Sequence, residues 1–280
     1  MSGHFAAFSF VDRITAYAPG QHAHGVFDVP KTIAAFPSCF VAEAVGQLAA
    51  WVAMAHVGFR VRPVAALAVE TRFLQDVIPG SALELAVALD SCDDAAVAYS
   101  GHACVNGSTV IELQDCLGPM LDIEQFDAPE VMRDRFELLC GAGATPGRFQ
   151  GVATTQLVVT AEAPGQSLRA TLRVPNEAPF FADHFPRRPV YPATLLLDRQ
   201  IELALRLAGA ASDWHAGESI ALVRMTNVKM RAFIEPGDEL ELAADMAPPI
   251  GETATIALSA RTGKRQVATA QVEIERRQDR

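Results

Sequence analysis

Pro179-Phe180-Phe181-Ala182-Asp183-His184-Phe185-Pro186-Arg187-Arg188-Pro189-Val190-Tyr191-Pro192-Ala193-Thr194-Leu195-Leu196-Leu197-Asp198 is the stretch from which the rest of the chain can be read. Pro186, Pro189 and Pro192 fall within seven residues, and each fixes φ and removes a backbone donor. The spacing predicts a rigid loop that presents His184, then an apolar helix beginning at about Pro192-Ala193. Stiffness of this kind suits a histidine that must be aimed. A packed histidine in a structural loop would give the same local pattern.

The run Phe-Phe-x-x-His-Phe-Pro-x-Arg-Pro-Val-x-Pro, with a carboxylate fourteen residues after the histidine, resembles the active-site segment of the 3-hydroxyacyl-(acyl-carrier-protein) dehydratases. Those enzymes have the hot-dog fold. The resemblance implies that His184 is the catalytic histidine and that Asp198 occupies the helix-carboxylate position. Ala193 departs from the pattern, because the family usually has glycine there. Phe8 to Ile14 is strand-like and resembles the family's opening strand.

Outward from this stretch the chain repeats itself. Ala163-Pro164-Gly165-Gln166 echoes Ala18-Pro19-Gly20-Gln21, and Val174-Pro175 echoes Val29-Pro30, both at an offset of 145. Pro192 and Asp198 echo Pro37 and Glu43 at 155. Pro236-Gly237-x-x-Leu240-Glu241-Leu242 echoes Pro79-Gly80-x-x-Leu83-Glu84-Leu85 at 157. The expected architecture is α+β, a double hot-dog in which each unit wraps a long central helix in an antiparallel sheet. The expected boundaries are 1–126 for the first unit, 127–148 for a linker helix and Gly-rich linker, and 149–280 for the second.

The step in offset locates a difference between the units. Ten residues are missing from the first unit where the second carries its histidine, and eight positions before Pro37 stands Val29. The first unit therefore has Glu43 but no matching histidine. In the resembled family the histidine of one unit faces the helix carboxylate of the other. Carried across, this implies one active site per chain, with His184 facing Glu43 and Gln47 beside it. The opposite site would hold Asp198, followed by Glu202, and would be dead. His184 with Asp198 inside one unit is the second assignment.

Pro37 to about His56 reads as the first central helix, with Gly58 as its stop. Glu43 and Gln47 share one face of it, and a carboxylate in such apolar surroundings must be paired or protonated. Strands follow over Val64 to Phe73 and from the Pro79-Gly80 turn to Val87. Ala95 to Val105 and Thr109 to Leu117 form a hairpin whose Asn106-Gly107 favours a type I′ turn. Asp127 caps a helix that begins at Pro129, and Gly141 to Gly147 reads as a flexible linker. A hairpin of Thr253 to Ala260 and Val267 to Glu275 closes the second unit.

The chemistry of dehydration asks for such a pair. A base must take a weakly acidic C2 proton while an acid protonates the hydroxide leaving C3. A neutral histidine serves as base near neutrality, and a carboxyl group serves as acid if burial raises its pKa. A backbone N–H at a helix start, from Ser38 or Ala193, would meet charge on the thioester oxygen. Phe181, Val190 and Tyr191 are expected as acyl-tunnel walls, or equally as ordinary core. Arg187 and Arg188 are expected carrier contacts, since carrier proteins are acidic and present a phosphopantetheine phosphate. A solvated surface pair is the competing reading.

Composition sets the outer bounds. The 280 residues are half hydrophobic, with a net charge of −10. That balance argues against nucleic acid, which needs clustered Lys and Arg, and against an anionic membrane surface. The five cysteines show no metal-ligand spacing, and an odd count suits a reducing cytoplasm. His22 and His24 share a strand face with no third ligand suggested. Residues Met1 to Phe5 lack a signal-peptide pattern. No metal or cofactor is expected; the substrate would ride on phosphopantetheine, as acyl carrier protein or acyl-CoA, in fatty-acid or polyketide-type synthesis. A fused pair is complete as a monomer and can still form a homodimer. A hot-dog thioesterase and a non-catalytic acyl-binding module are the alternatives, since a fold does not decide a reaction.

Overall fold

The computed structural model describes residues 7–211 and 218–278; the reading of Met1 to Phe5 lies outside them. The strands are β1 Arg13–Ala18, β2 His22–Asp28, β3 Val61–Pro63, β4 Leu67–Phe73, β5 Ala82–Cys92, β6 Ala96–Val105 and β7 Ser108–Asp122. The second set is β8 Leu157–Ala163, β9 Ser167–Arg173, β10 Glu218–Met230, β11 Glu239–Met246, β12 Thr253–Thr262 and β13 Arg265–Gln278. The helices are α1 Ser38–His56, α2 Pro129–Cys140, α3 Pro179–His184 and α4 Ala193–Gly209.

One antiparallel sheet runs in the order β1-β2-β5-β6-β7-β4-β10-β13-β12-β11-β9-β8, with β3 paired to β7 off that path. Its second half is the mirror of its first, and the two halves join where β4 meets β10, from Arg72–Arg224 to Leu67–Lys229. The hydrogen bonds repeat as well. Gln21 N–H donates to the Ala18 carbonyl and Gln166 N–H to that of Ala163, each at 3.0 Å. Gly80 N–H reaches the Val29 carbonyl at 2.9 Å and Gly237 N–H that of Val174 at 3.2 Å. Gly20 and Gly165 share φ +68°, the left-handed turn conformation that glycine adopts freely.

α1 is Ala-rich, which favours helix, and it is buried on most of its circumference, including Val45, Leu48, Ala49 and Val52. By length and composition alone it would pass as a membrane span; here its apolarity is explained by the sheet that covers it. The sheet comes very close. A Cβ on Gly101 of β6 would stand 2.6 Å from Val45 Cγ1, so only glycine fits. Ala42, Glu43, Gly46, Gln47 and Ala50 are only partly buried. They form the face at i, i+1, i+4 and i+5 that opens onto an internal cavity.

Several local expectations change. Phe8 to Asp12 is not strand. Phe8 and Phe10 bond to side chains, not to a neighbouring ladder: Phe8 N–H to Asp183 Oδ2 (2.9 Å), Phe10 N–H to Gln47 Oε1 (2.8 Å) and the Phe8 carbonyl to Gln47 Nε2 (2.9 Å); only at Asp12 does the backbone reach β2, with its N–H on the Val26 carbonyl at 2.8 Å. The expected strand over Val64 to Phe73 begins only at Leu67, after β3 ends on Pro63, which has no N–H to give. Asp127 does not cap α2, whose N-cap is Ala128. Its carboxylate accepts from Ala128 N–H at 2.8 Å and from Arg135 Nη1 at 3.2 Å. The segment Gly141 to Gly147 is tied back, with Ala144 N–H on the Asp12 carbonyl at 2.7 Å. Asn106 and Gly107 take φ +52° and +76°, as the type I′ turn requires.

Candidate active site

The proline-rich stretch folds as a short helix and a loop. α3 starts with Pro179 at its first position and ends on His184. Pro186 then stops it, and Pro192 caps α4. Asp183, the residue before the histidine, accepts from Ala7 N–H (3.1 Å), Phe8 N–H (2.9 Å) and Ser9 Oγ (3.0 Å). Those bonds lay the N-terminal segment across the site. The Phe8 ring then meets the His184 ring edge-on at 5.5 Å, and Phe185 stacks on the imidazole at 4.0 Å.

A cavity of about 260 Å³ lies between α1, the sheet and the α3–α4 loop. His184 from the second unit and Glu43 from the first both line it, as do Gln47, Ala193, Val190 and Tyr191. Asp198 does not; its carboxylate is held by Arg199. Ser38 is not at the wall either, while Ala193 is. Because α4 begins after Pro192, the N–H groups of Ala193 and Thr194 have no acceptor within the helix. Of the two readings of Phe181, tunnel wall and ordinary core, the structure has the second: it is buried against Phe180 at 4.6 Å and does not line the cavity. Arg187 donates to the carbonyls of Glu124 and Asp127, both at 3.2 Å. Arg188 bonds to Gln125 Oε1 at 3.3 Å and lies 4.4 Å over the Phe233 ring. Both arginines thus fasten the loop to the turn before α2. His22 and His24 are exposed on β2, their rings 6.1 Å apart.

Glu43 is held from both units. Gln47 Nε2 donates to its Oε1 at 3.0 Å and Thr194 Oγ1 to its Oε2 at 2.7 Å. Burial raises its pKa above the ordinary glutamate value, against the lowering effect of those two bonds. His184 goes the other way: burial, then the nearby Arg62 cation, lower its pKa to about 3. Its Nδ1 is buried without a hydrogen-bond partner among the described residues. At neutral pH the imidazole is therefore neutral, and burial biases the Glu43 carboxyl toward its protonated form.

Three contributors were not expected from the sequence. Thr194 follows Ala193, and the helical repeat alone gives no sign that its hydroxyl crosses to Glu43. Asp183 is hidden beside a stronger motif. Arg62 belongs to no motif in the sequence, yet on β3 its side chain is buried and lines the cavity. Its guanidinium lies 4.2 Å over the face of Phe185.

Known proteins resemble this chain in sequence and in fold. The family model described as ApeI dehydratase, ApeI-like, matches residues 160–271. The 3-hydroxyacyl-(acyl-carrier-protein) dehydratase FabZ of Levilactobacillus brevis is 30% identical over 107 residues, covering 38% of this chain and 72% of that protein. The FabZ of Albidiferax ferrireducens is 37% identical over 84 residues, 29% of this chain and 56% of the relative. Solved structures match along nearly the whole chain at low identity. The acyl-CoA thioesterase II TesB2 of Mycobacterium marinum has a TM-score of 0.55 at 12% identity, covering 92% of this chain and 93% of that one. A protein with a hot-dog fold from Alicyclobacillus acidocaldarius has a TM-score of 0.54 at 12% identity, covering 98% of each. At such identities the structural likeness speaks to the fold, and the sequence likeness to the family. The chain belongs to the 3-hydroxyacyl-(acyl-carrier-protein) dehydratase family and carries the hot-dog fold in tandem.

Proposed function

We propose that the protein dehydrates a 3-hydroxyacyl thioester to a 2-enoyl thioester, with His184 as base and Glu43 as acid. One observation carries this reading: a histidine of one unit and a carboxyl group of the other line the same cavity, each biased by burial toward the uncharged form in which its role begins. His184 takes the C2 proton, and the C–H electrons form the C2–C3 double bond. The C3–O bond breaks, and Glu43 gives its proton to the departing hydroxide, which leaves as water. Imidazolium and carboxylate remain, and returning a proton from one to the other restores the site. Ala193 N–H, on the cavity wall, is the donor assigned to the thioester oxygen. The methyl of Ala193 adds bulk where family members usually have glycine.

The substrate rides on phosphopantetheine, from a carrier protein or coenzyme A, in fatty-acid or polyketide-type synthesis. Arg187, exposed beside the site, is the assigned carrier contact, with Arg188 supporting it through the loop. The test is to follow both products of one 3-hydroxyacyl thioester. Dehydration gives ultraviolet absorbance of the conjugated enoyl thioester and releases no thiol. Release of free thiol and hydroxy acid, without enoyl product, would replace this reading with thioester hydrolysis.

A further inference from the structure

Arg62 is more than nine-tenths buried and lines the cavity, yet its Nε and Nη1 have no hydrogen-bond partner among the described residues. A buried guanidinium without a partner is a costly arrangement that proteins rarely leave unanswered. The charged groups that act on it are Asp127, Arg135 and Glu43. Asp127 is bonded to Arg135 Nη1. Glu43 is bonded to Gln47 and Thr194. The cavity wall thus brings Arg62 and Arg135 together with Asp127, Asp183 and Glu43, yet none of these carboxylates bonds to Nε or Nη1 of Arg62.

The aromatic rings around Arg62 fix where it can act. Phe185 lies 4.2 Å from its Cζ and stacks on His184 at 4.0 Å, while Phe126 lies 5.7 Å away. Those rings hold the guanidinium plane but leave the N–H groups of Nε and Nη1 unused. A charge-assisted bond from either N–H matches a carboxylate oxygen. A phosphate on the pantetheine arm stays at the solvent end of a thioester site, whereas this cation is interior.

We infer that Arg62 is an anion-binding residue inside the cavity, and that the acyl chain taken by this enzyme carries a carboxylate. The inference rests on the dehydratase reading for the remainder of the substrate and adds its specificity. A bound carboxylate would engage the unbonded N–H groups of Arg62 and make loss of the Glu43 proton harder, which keeps the acid ready.

The test compares two 3-hydroxyacyl pantetheine thioesters of equal chain length, one ending in a methyl group and one in a carboxylate. Wild type, Arg62→Met and Arg62→Lys are assayed for the ratio of kcat/KM values. Wild type is expected to favour the carboxylate roughly 10- to 100-fold, the range one charge-assisted contact gives. Arg62→Met should abolish or invert that preference, and Arg62→Lys should keep part of it. A wild-type preference for the methyl chain, or an unchanged ratio in Arg62→Met, overturns the inference. If Arg62→Met does not fold, the wild-type preference and the Lys variant decide. If wild type turns over neither thioester, the dehydratase reading falls, and calorimetric binding of the unreactive saturated thioethers, methyl- and carboxylate-ended, judges Arg62 separately. Tighter carboxylate binding by wild type that Arg62→Met loses supports the inference, and equal binding of both chains overturns it.

Discussion

At the scale of single residues, the site works through opposed environments. Glu43 is pushed toward its protonated form by burial and held back by hydrogen bonds from Gln47 and Thr194. Removing the Thr194 hydroxyl with Thr194→Val takes away a bond that favours the carboxylate, so the Glu43 pKa should rise further. We expect kcat/KM to fall as pH rises through the Glu43 pKa, and this alkaline limb to move to higher pH in Thr194→Val. An unmoved limb would show that another group controls it. His184, with its pKa lowered to about 3, stays neutral through the range where a free histidine takes its proton. The sign for stability follows. Between the unfolded value near 6.5 and about 3, the unfolded chain binds a proton that the folded one does not, so His184 costs stability as pH falls through that window. Urea titrations of wild type and His184→Gln across it should diverge toward low pH, with wild type losing more.

At the scale of elements, what could be read depended on whether a segment answers to its own residues. α1 and α4 were legible from a capping proline, an apolar run and, for α1, a Gly stop, because those signals are local. The hairpin turn at Asn106-Gly107 was legible for the same reason. Phe8 to Asp12 was not. Its alternation of apolar and polar residues is that of a strand, but Asp183 and Gln47, distant in sequence, take the backbone bonds of Phe8 and Phe10. Phe181 takes the second of its two readings, ordinary core, since the helical turn over Pro179–His184 buries its ring against Phe180. Asp183 is thus the fastening of a whole segment. Asp183→Ala should leave the buried Phe8 N–H without that acceptor and lower stability by about 1–3 kcal/mol, with faster amide exchange at residues 7–10. A full-strength urea midpoint with unchanged exchange there would contradict that role.

At the scale of the whole molecule, the repeat was legible because turn residues and helix starts recur at offsets that the sheet reproduces strand for strand. The joint between β4 and β10, and the burial of Arg62 on β3, were not, because pairing between distant strands leaves no mark at fixed spacing. The tandem arrangement has a functional consequence: the two groups assigned to catalysis come from different units. Residues 1–148 and 149–280, co-expressed as separate chains, should reassemble through β4 and β10 and recover turnover. Either half alone should be inactive, since neither holds both groups. Activity in the second half alone would mean that its own carboxylate serves.

The most direct measurement is enoyl-thioester formation by wild type, His184→Ala, Glu43→Gln and Asp198→Asn, each checked for folding. We expect the first two variants to lose about 10²–10⁴-fold, the range for a general acid or base, and Asp198→Asn to stay near wild type. Loss in Asp198→Asn with Glu43→Gln still active would contradict a site shared between the two units.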